Sequence, residues 1–235
     1  DADQKEAILA VKIDKNTTIT ANFADFSKGL IAYYPFNGNA NDESGNGNDG
    51  EVNGATLVED RNGESSKAYS FDGEDDYILV KDSASIRPDY ITINFWVTES
   101  SIGHVLYKSV YDNADKEQYA VALSTHYARG NLQFLIKRNS GGTVGAGWQR
   151  INIPLPSGSD QNWCMYSLTW DGKLLTIFKD GILMETNGDV PAGAIDNVVG
   201  GDLRFGLGWA HYPEPLDGQI DEFRIYNRAL SEVEV

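Results

Sequence analysis

Residues 162–186 read NWCMYSLTWDGKLLTIFKDGILMET. Cys164, Tyr166, Leu168 and Trp170 alternate with Met165, Ser167 and Thr169, the period-two pattern of a strand that buries one face. Asp171-Gly172 and Asp180-Gly181 then interrupt the apolar runs, and Asp-Gly pairs are favoured in two-residue hairpin turns because both central positions need positive φ. The stretch therefore predicts three antiparallel strands in a meander. On the apolar face Cys164 is a core thiol rather than a nucleophile, since no His in the strand would activate it.

The same pattern extends outward in both directions. GLIAYYPF (29–36) puts Leu30, Ala32, Tyr34 and Phe36 on one side, and ITINFWV (91–97) does so with Ile91, Ile93, Phe95 and Val97. AYSFDG (68–73) and DYILV (76–80) read as a hairpin-like pair around Asp72-Gly73. Trp96, Trp163 and Trp170 lie in regular strands and are expected in the core. With 235 residues, 24 Gly, 12 Tyr and 5 Trp, the composition fits strands and tight turns in a chain long enough for a large core. The expectation is an all-β protein.

Charge and cysteine content exclude several functions. Thirty-five acidic against 19 basic side chains give a formal charge of −16, which opposes phosphate backbones and anionic membranes, so no nucleic acid is expected. Cys164 is the single cysteine, and no intrachain disulfide is possible. No apolar run of about 18 residues occurs and no basic-then-apolar leader opens the chain, so neither membrane insertion nor a signal peptide is expected. A start at Asp1 rather than Met suggests a piece of something longer.

Residues 1–28 differ from the rest. AILAVKIDKNTTITANF (7–23) reads as a hairpin interrupted at Asn16, and its end resembles the closing strands of internalin-type B repeats of bacterial surface proteins. An extra edge strand of the main domain is the other reading. Asn16-Thr17-Thr18 also fits the N-glycosylation pattern, a match common by chance.

From residue 29 to 235, three stretches occur in a specific order: GLIAYYPFNGNANDESGNGNDGEVNGATLVEDRNGESSKAYSFDGEDDYILV, the meander at 162–186, and LDGQIDEFRIYNRALSEVEV. Together they resemble the laminin G-like domains of the concanavalin A-like superfamily, in a bacterial subgroup related to pentraxins. The resemblance implies an antiparallel two-sheet jelly-roll sandwich over 29–235 with the first and last strands adjacent. It does not fix function, because the fold serves lectins, glycan-binding modules, adhesion domains and glycosidases. Helix is expected only in short turns, with Ser231 a suitable N-cap.

The loop NANDESGNGNDG (39–50) is rich in Asn, Gly and carboxylates and could be a turn, a cation site or a recognition loop. In LDGQIDEFRIYN, plain alternation puts Asp221 on the side of Phe223 and Ile225, so one carboxylate faces inward and needs a cation, an Arg or Lys, or several N–H donors. The resemblance places its usual cation site in this loop together with the last strand. It implies structural calcium held by Asp42 and Asp221, with Asn39 and the carbonyls of Gly45 and Gly47. An ordinary Asn/Gly turn is the competing reading. An EF-hand is rejected, because Asn53 stands where its Glu belongs and no helices flank the loop. Asp72, Asp75 and Asp76 are explained by a solvated hairpin end.

Catalysis finds little support. Glycosidases on this fold need two carboxylates about 5–9.5 Å apart on the concave sheet, and no Glu-x-Asp-x-Glu pattern occurs. Glu117 and Asp180 stand alone in the sequence, and His104, His126 and His211 lack metal-ligand spacing. No enzyme is expected. Sugar recognition pairs aromatic faces with groups that satisfy hydroxyls. Three stretches offer that mixture: GAGWQR with Trp148 and Arg150, STHYARGN with Tyr127, and GWAHYPEP with Trp209, His211 and Tyr212. The expectation is a non-catalytic carbohydrate-binding module of a secreted or cell-surface bacterial protein, monomeric within a multidomain chain, whose partner is a glycan or polysaccharide. A protein-binding adhesion domain contacting a surface protein, or a structural spacer, is the alternative.

Overall fold

Asp180-Gly181 turns the chain where the sequence places a turn: both residues have positive φ, 50° and 76°, and Lys179 pairs with Ile182 across a two-residue hairpin. The Asp171-Gly172 turn is longer, since Trp170 pairs with Leu175 and the Asp171 carboxylate accepts the N–H groups of Lys173 and Leu174 at 2.8 and 2.7 Å. The computed structural model describes residues 25–98, 100–110, 117–125, 128, 130–138, 148–155, 162–188, 192–208 and 213–235, the side chain of Trp148 excepted. The expected amino-terminal strands, Asn16 included, lie outside the described residues.

The strands are β1 (Leu30–Tyr34), β2 (Gly50–Asn53), β3 (Thr56–Val58), β4 (Ala68–Asp72), β5 (Tyr77–Val80), β6 (Ile91–Thr98), β7 (Gly103–Ser109), β8 (Glu117–Leu123), β9 (Asn131–Lys137), β10 (Trp148–Pro154), β11 (Trp163–Trp170), β12 (Leu175–Lys179), β13 (Ile182–Asn187), β14 (Asp202–Phe205) and β15 (Asp217–Tyr226). They form two antiparallel sheets. One has eight strands in the order β13-β12-β11-β6-β15-β4-β3, with β1 also on β15; the other has seven, β10-β9-β8-β7-β14-β5-β2. The chain is thus an all-β two-sheet sandwich, and its first and last strands run side by side, Tyr34 opposite Phe223. The carboxy-terminal segment forms a turn rather than a helix, closed by Ser231 donating its N–H and Oγ–H to Glu234.

Between the sheets the inward residues interlock. Phe95 of β6 stacks on Phe223 of β15 at 5.3 Å, and Phe205 of β14 meets Phe223 edge-on at 4.8 Å from the opposite sheet. Each fully buried ring of this kind contributes about 1.5–3 kcal/mol through loss of apolar surface from water. Trp170 is fully buried and donates its indole N–H to the Gly193 carbonyl at 3.1 Å. Cys164 lies in the core with it.

Three expectations are corrected. β4 and β5 are not a hairpin: β4 joins the eight-stranded sheet and β5 the seven-stranded one, so residues 73–76 carry the chain across the sandwich. Asp76 accepts the Asp72 N–H at 3.0 Å and Asp72 accepts that of Glu74 at 2.9 Å, closing this crossing. Trp96 and Trp163 are only half-buried, because they alternate with the inward residues of their strands and point away from the core. The third concerns Asp221. A β-bulge at Glu222, whose φ is 50°, inserts a residue between Asp221 and Arg224, so Ile220 and Phe223 both face inward. Asp221 pairs with Trp96 and shares its outer face rather than that of Phe223.

Candidate functional site

The polar loop after β1 is held by its own side chains. Asp42 accepts the backbone N–H groups of Tyr33 and Ser44 on Oδ1 and of Asn48 on Oδ2, each at 2.9 Å. Asn39 is exposed and accepts the Asn41 N–H at 2.8 Å, and Asp49 accepts that of Asp42 at 2.8 Å. Gly45 and Gly47 take φ of 87° and 72°, the left-handed values this turn sequence requires. Asn48 is buried at the centre. Its Nδ2 donates to the Ile31 carbonyl at 2.8 Å, its Oδ1 accepts from Ser83 and Ser85, and its carbonyl accepts the Tyr34 hydroxyl at 2.6 Å.

Asp221 is satisfied separately. Although it is only 1% exposed, its Oδ2 meets Arg61 Nη1 at 2.5 Å, and the Arg61 guanidinium lies 4.8 Å over the Trp96 ring. Burial pushes the Asp221 carboxyl up to about 6, while the Arg61 charge opposes the rise. A second set follows on the same strand: Glu222 accepts the Tyr33 hydroxyl at 3.1 Å and pairs with Arg224, which stacks on Tyr33 at 4.3 Å. The contacts of Asp42 and of Asp221 share no residue. This pair does not fit a common calcium, because backbone N–H groups occupy one carboxylate and a guanidinium occupies the other. Among the described residues, Asp72, Asp75 and Asp76 bring ligand atoms within 4.8 Å of one another, at the crossing whose hydrogen bonds already account for two of them.

The outer face of the seven-stranded sheet has a different character. Register aligns Arg204, Tyr107, Ala120, Leu135 and Arg150 across β14, β7, β8, β9 and β10, and His104, Ala122, Gln133 and Asn152 in the neighbouring row. Tyr107 donates its hydroxyl to Glu117 Oε1, and Lys137 Nζ lies 3.3 Å from Glu117 Oε2. Gln133 Nε2 donates to Asn152 Oδ1 at 2.9 Å. His104 meets Tyr107 edge-on at 5.2 Å and has Glu214 at 4.0 Å. Burial lowers the His104 pKa, so its imidazole is neutral near pH 7, and burial raises that of Tyr107, which stays a phenol. Glu117 therefore does not stand alone. It is bound by a phenol and neutralised by an ammonium, an arrangement that orients polar groups rather than freeing a proton donor.

Of the side chains expected to bind sugar, Arg150 is exposed on this face, opposite Leu135. Trp148 is the first residue of β10, opposite Lys137. Tyr127, Trp209, His211 and Tyr212 lie outside the described residues. β8 ends at Leu123 and β9 begins at Asn131 at the end of the sheet where β14 ends at Phe205, whereas Trp148 starts β10 at the opposite end. A strand of seven residues separates the two ends by roughly 20 Å. Sequence reasoning missed Tyr107, Gln133, Lys137 and Asn152. Extending the period-two reading to NLQFLIK would have placed Gln133, Leu135 and Lys137 together.

A family model described as the concanavalin A-like lectin/glucanases superfamily matches residues 72–235. The chain belongs to that family. Solved structures share its fold. Domain 4 of AbnA, an extracellular arabinanase from Geobacillus stearothermophilus solved with arabinotriose, superposes with a TM-score of 0.65 at 18% identity, covering 87% of this chain and 95% of that one. The botulinum neurotoxin serotype D binding domain gives 0.59 at 16% identity, covering 88% of this chain and 50% of that one. The binding domain of botulinum neurotoxin DC in complex with SialylT gives 0.60 at 15%, again covering 88% and 50%. The chain thus spans about half the length of the toxin domains. A search of curated proteins found no match to it. At these identities the likeness concerns the fold.

Proposed function

We propose that this member of the superfamily is a non-catalytic carbohydrate-binding module of a secreted or cell-surface protein, taking its glycan on the outer face of the seven-stranded sheet. The observation that carries the reading is the polar network there: Tyr107, Glu117 and Lys137 linked in series beside the Gln133–Asn152 pair. Ala120 and Ala122 form a floor of small side chains between them. Arg150 and Asn152 are exposed and Lys137 is half-buried, so a guanidinium, an amide and an ammonium meet sugar hydroxyls at this surface, while the buried Tyr107, Glu117 and Gln133 hold them in place, and preorganisation of that kind lowers the cost of binding. The arabinanase domain solved with arabinotriose and the toxin domain solved with SialylT support the ligand class.

A panel of immobilised glycans tests this directly. Wild-type chain is expected to retain at least one neutral glycan, and Asn152→Ala or Arg150→Ala, both at exposed positions, is expected to weaken it at least tenfold with an unchanged melting temperature. Unaltered binding in both variants would remove this face from the reading. A protein-docking role is favoured by one feature: Ile182, Leu183 and Met184 are consecutive exposed apolar residues on β13, the edge of the eight-stranded sheet. Related support is the toxin DC domain in complex with rat synaptotagmin II. Capture of a protein partner that Leu183→Lys abolishes, with no glycan retained, would favour it.

A further inference from the structure

A cleft of about 470 Å³ opens elsewhere, between the loop after β1, the segment that leads into β6, the stretch before β14 and the residue that follows β15. Its volume falls within the roughly 300–1,000 Å³ of small-molecule sites. Asn46, Asn197 and Asn227 line it together with Ser85, Arg87 and Tyr90. Several of their polar atoms have no protein partner among the described residues. Asn46 uses only its Nδ2, on Leu30 O and Ser44 Oγ, which leaves its Oδ1 open. Asn197 uses only its Oδ1, accepting from Arg87 Nη1 at 3.2 Å, which leaves its amide N–H groups open. The whole Asn227 amide and the Tyr90 hydroxyl are likewise available.

The frame around these groups is rigid. Arg87 is fixed from three sides, by the Ser83 carbonyl at 3.1 Å, Asp82 at 3.4 Å and Asn197. Tyr90 is 42% exposed, yet its ring rests on Gly172, where a Cβ would fall 2.6 Å from Cε1. An aromatic ring braced on one side and open on the other is the platform on which the C–H face of a sugar packs. Ligand charge is constrained too. Arg87 is the single cation of the lining; Asp82, 3.4 Å from it, also holds Lys108 at 2.9 Å, and the exposed Asp89 places a carboxylate beside Arg87 in the lining itself. With Arg87 and Asp89 side by side the lining carries no net charge and gives an anion no net attraction. An apolar ligand would strand the three amides.

We infer that this cleft is a second saccharide subsite, selective for a neutral sugar unit held by Asn46, Asn197 and Asn227 against Tyr90. The inference rests on the glycan-binding reading and adds a separate place on the molecule, so that one module engages a polysaccharide at two points. Two linked engagements raise the apparent affinity for a polymer above that for its oligomers.

The test is an NMR titration of 15N-labelled chain that follows the side-chain amide signals of Asn46, Asn197, Asn227 and Gln133. The probes are arabinotriose, xylotriose, cellotriose and galactotriose, with sialyllactose as the anionic control. At least one neutral trisaccharide is expected to shift the three Asn signals saturably, with sialyllactose at least tenfold weaker. Tyr90→Ala and, independently, Asn227→Ala are expected to weaken the Asn response at least tenfold and to leave the Gln133 response intact; both residues are exposed, so the fold should survive. A Gln133 response with silent Asn signals would overturn the second subsite and leave the first standing. Silence of all four amides with every probe would overturn both. Asn shifts with sialyllactose as strong as with the neutral sugars would overturn the selectivity.

Discussion

The Tyr34 hydroxyl donates to the backbone carbonyl of Asn48 at 2.6 Å, tying the floor of the core to the centre of the polar loop. Asn48 in turn fixes Ile31, Ser83 and Ser85, so one buried amide joins β1 to the segment that precedes β6. Asn48→Ala leaves the Ile31 carbonyl without this donor and the Ser83 and Ser85 hydroxyls with only each other, and a buried group so stranded costs about 1–3 kcal/mol. Denaturant titration is expected to show a loss of at least that size. A loss below about 0.5 kcal/mol would mean that water replaces the amide at little cost.

The Asp221 carboxyl, raised to about 6 by burial against an ordinary value of 3.8, binds its proton more tightly in the folded chain than in the unfolded one. Stability from this group is therefore greatest below the unfolded value and declines as pH rises through the window up to about 6. Asp221→Asn should flatten that part of the melting profile. Glu234 works in the opposite sense, since Arg228 and Ser231 hold its carboxyl down at about 2, so its contribution is present above the ordinary 4.5 and lost as pH falls towards 2. The two windows overlap only partly. A slope between about pH 5 and 6 that persists in Asp221→Asn would assign the proton to another group.

Removal of divalent cations tests the expected calcium. An ion bound only to the folded chain stabilises it by linkage. Because Asp42 holds three N–H donors and Asp221 holds Arg61, excess chelator is expected to leave the melting temperature unchanged, whereas Arg61→Ala should lower it. A fall of several degrees in chelator would show that a cation does bind to the folded chain.

Trp170 and Trp96 should separate cleanly. Trp170→Ala opens a cavity in the core and is expected to cost about 3–5 kcal/mol. Trp96→Ala removes a half-buried ring and its stacking on Arg61, for an expected loss of about 1–2 kcal/mol. Equal losses would place Trp96 in the interior after all.

The strands that bury one face completely were legible in the sequence, and so was the Asp180-Gly181 hairpin. Ile91, Ile93, Phe95 and Val97 needed only alternation to be assigned. What period two cannot show is a change of phase: the bulge at Glu222 moved Asp221 to the other face of its strand, and no residue type in IDEFRIY announces it. Nor does alternation say which sheet a strand joins, which is why β4 and β5 read as a hairpin. The site was harder still. Gln133, Tyr107 and Glu117 come from three strands and meet only through register, whereas the loop aromatics that stood out in the sequence are local signals. Arg61, the partner of Asp221, is 160 residues away from it in the chain.

The pairing of β1 with β15 also has a mechanical side. Leu30, where β1 begins, lies opposite Tyr226, where β15 ends. A pull applied at residues 29 and 227 would load the rungs between these strands one after another, peeling them like a zipper instead of shearing them together. The first rungs to yield would be those next to Arg228, whose Nε donates to the Lys28 carbonyl at 2.9 Å. Carried between neighbouring domains, such a unit would give way from that corner under tension. The seven-stranded sheet, which contains neither strand, would be the last part to feel the load.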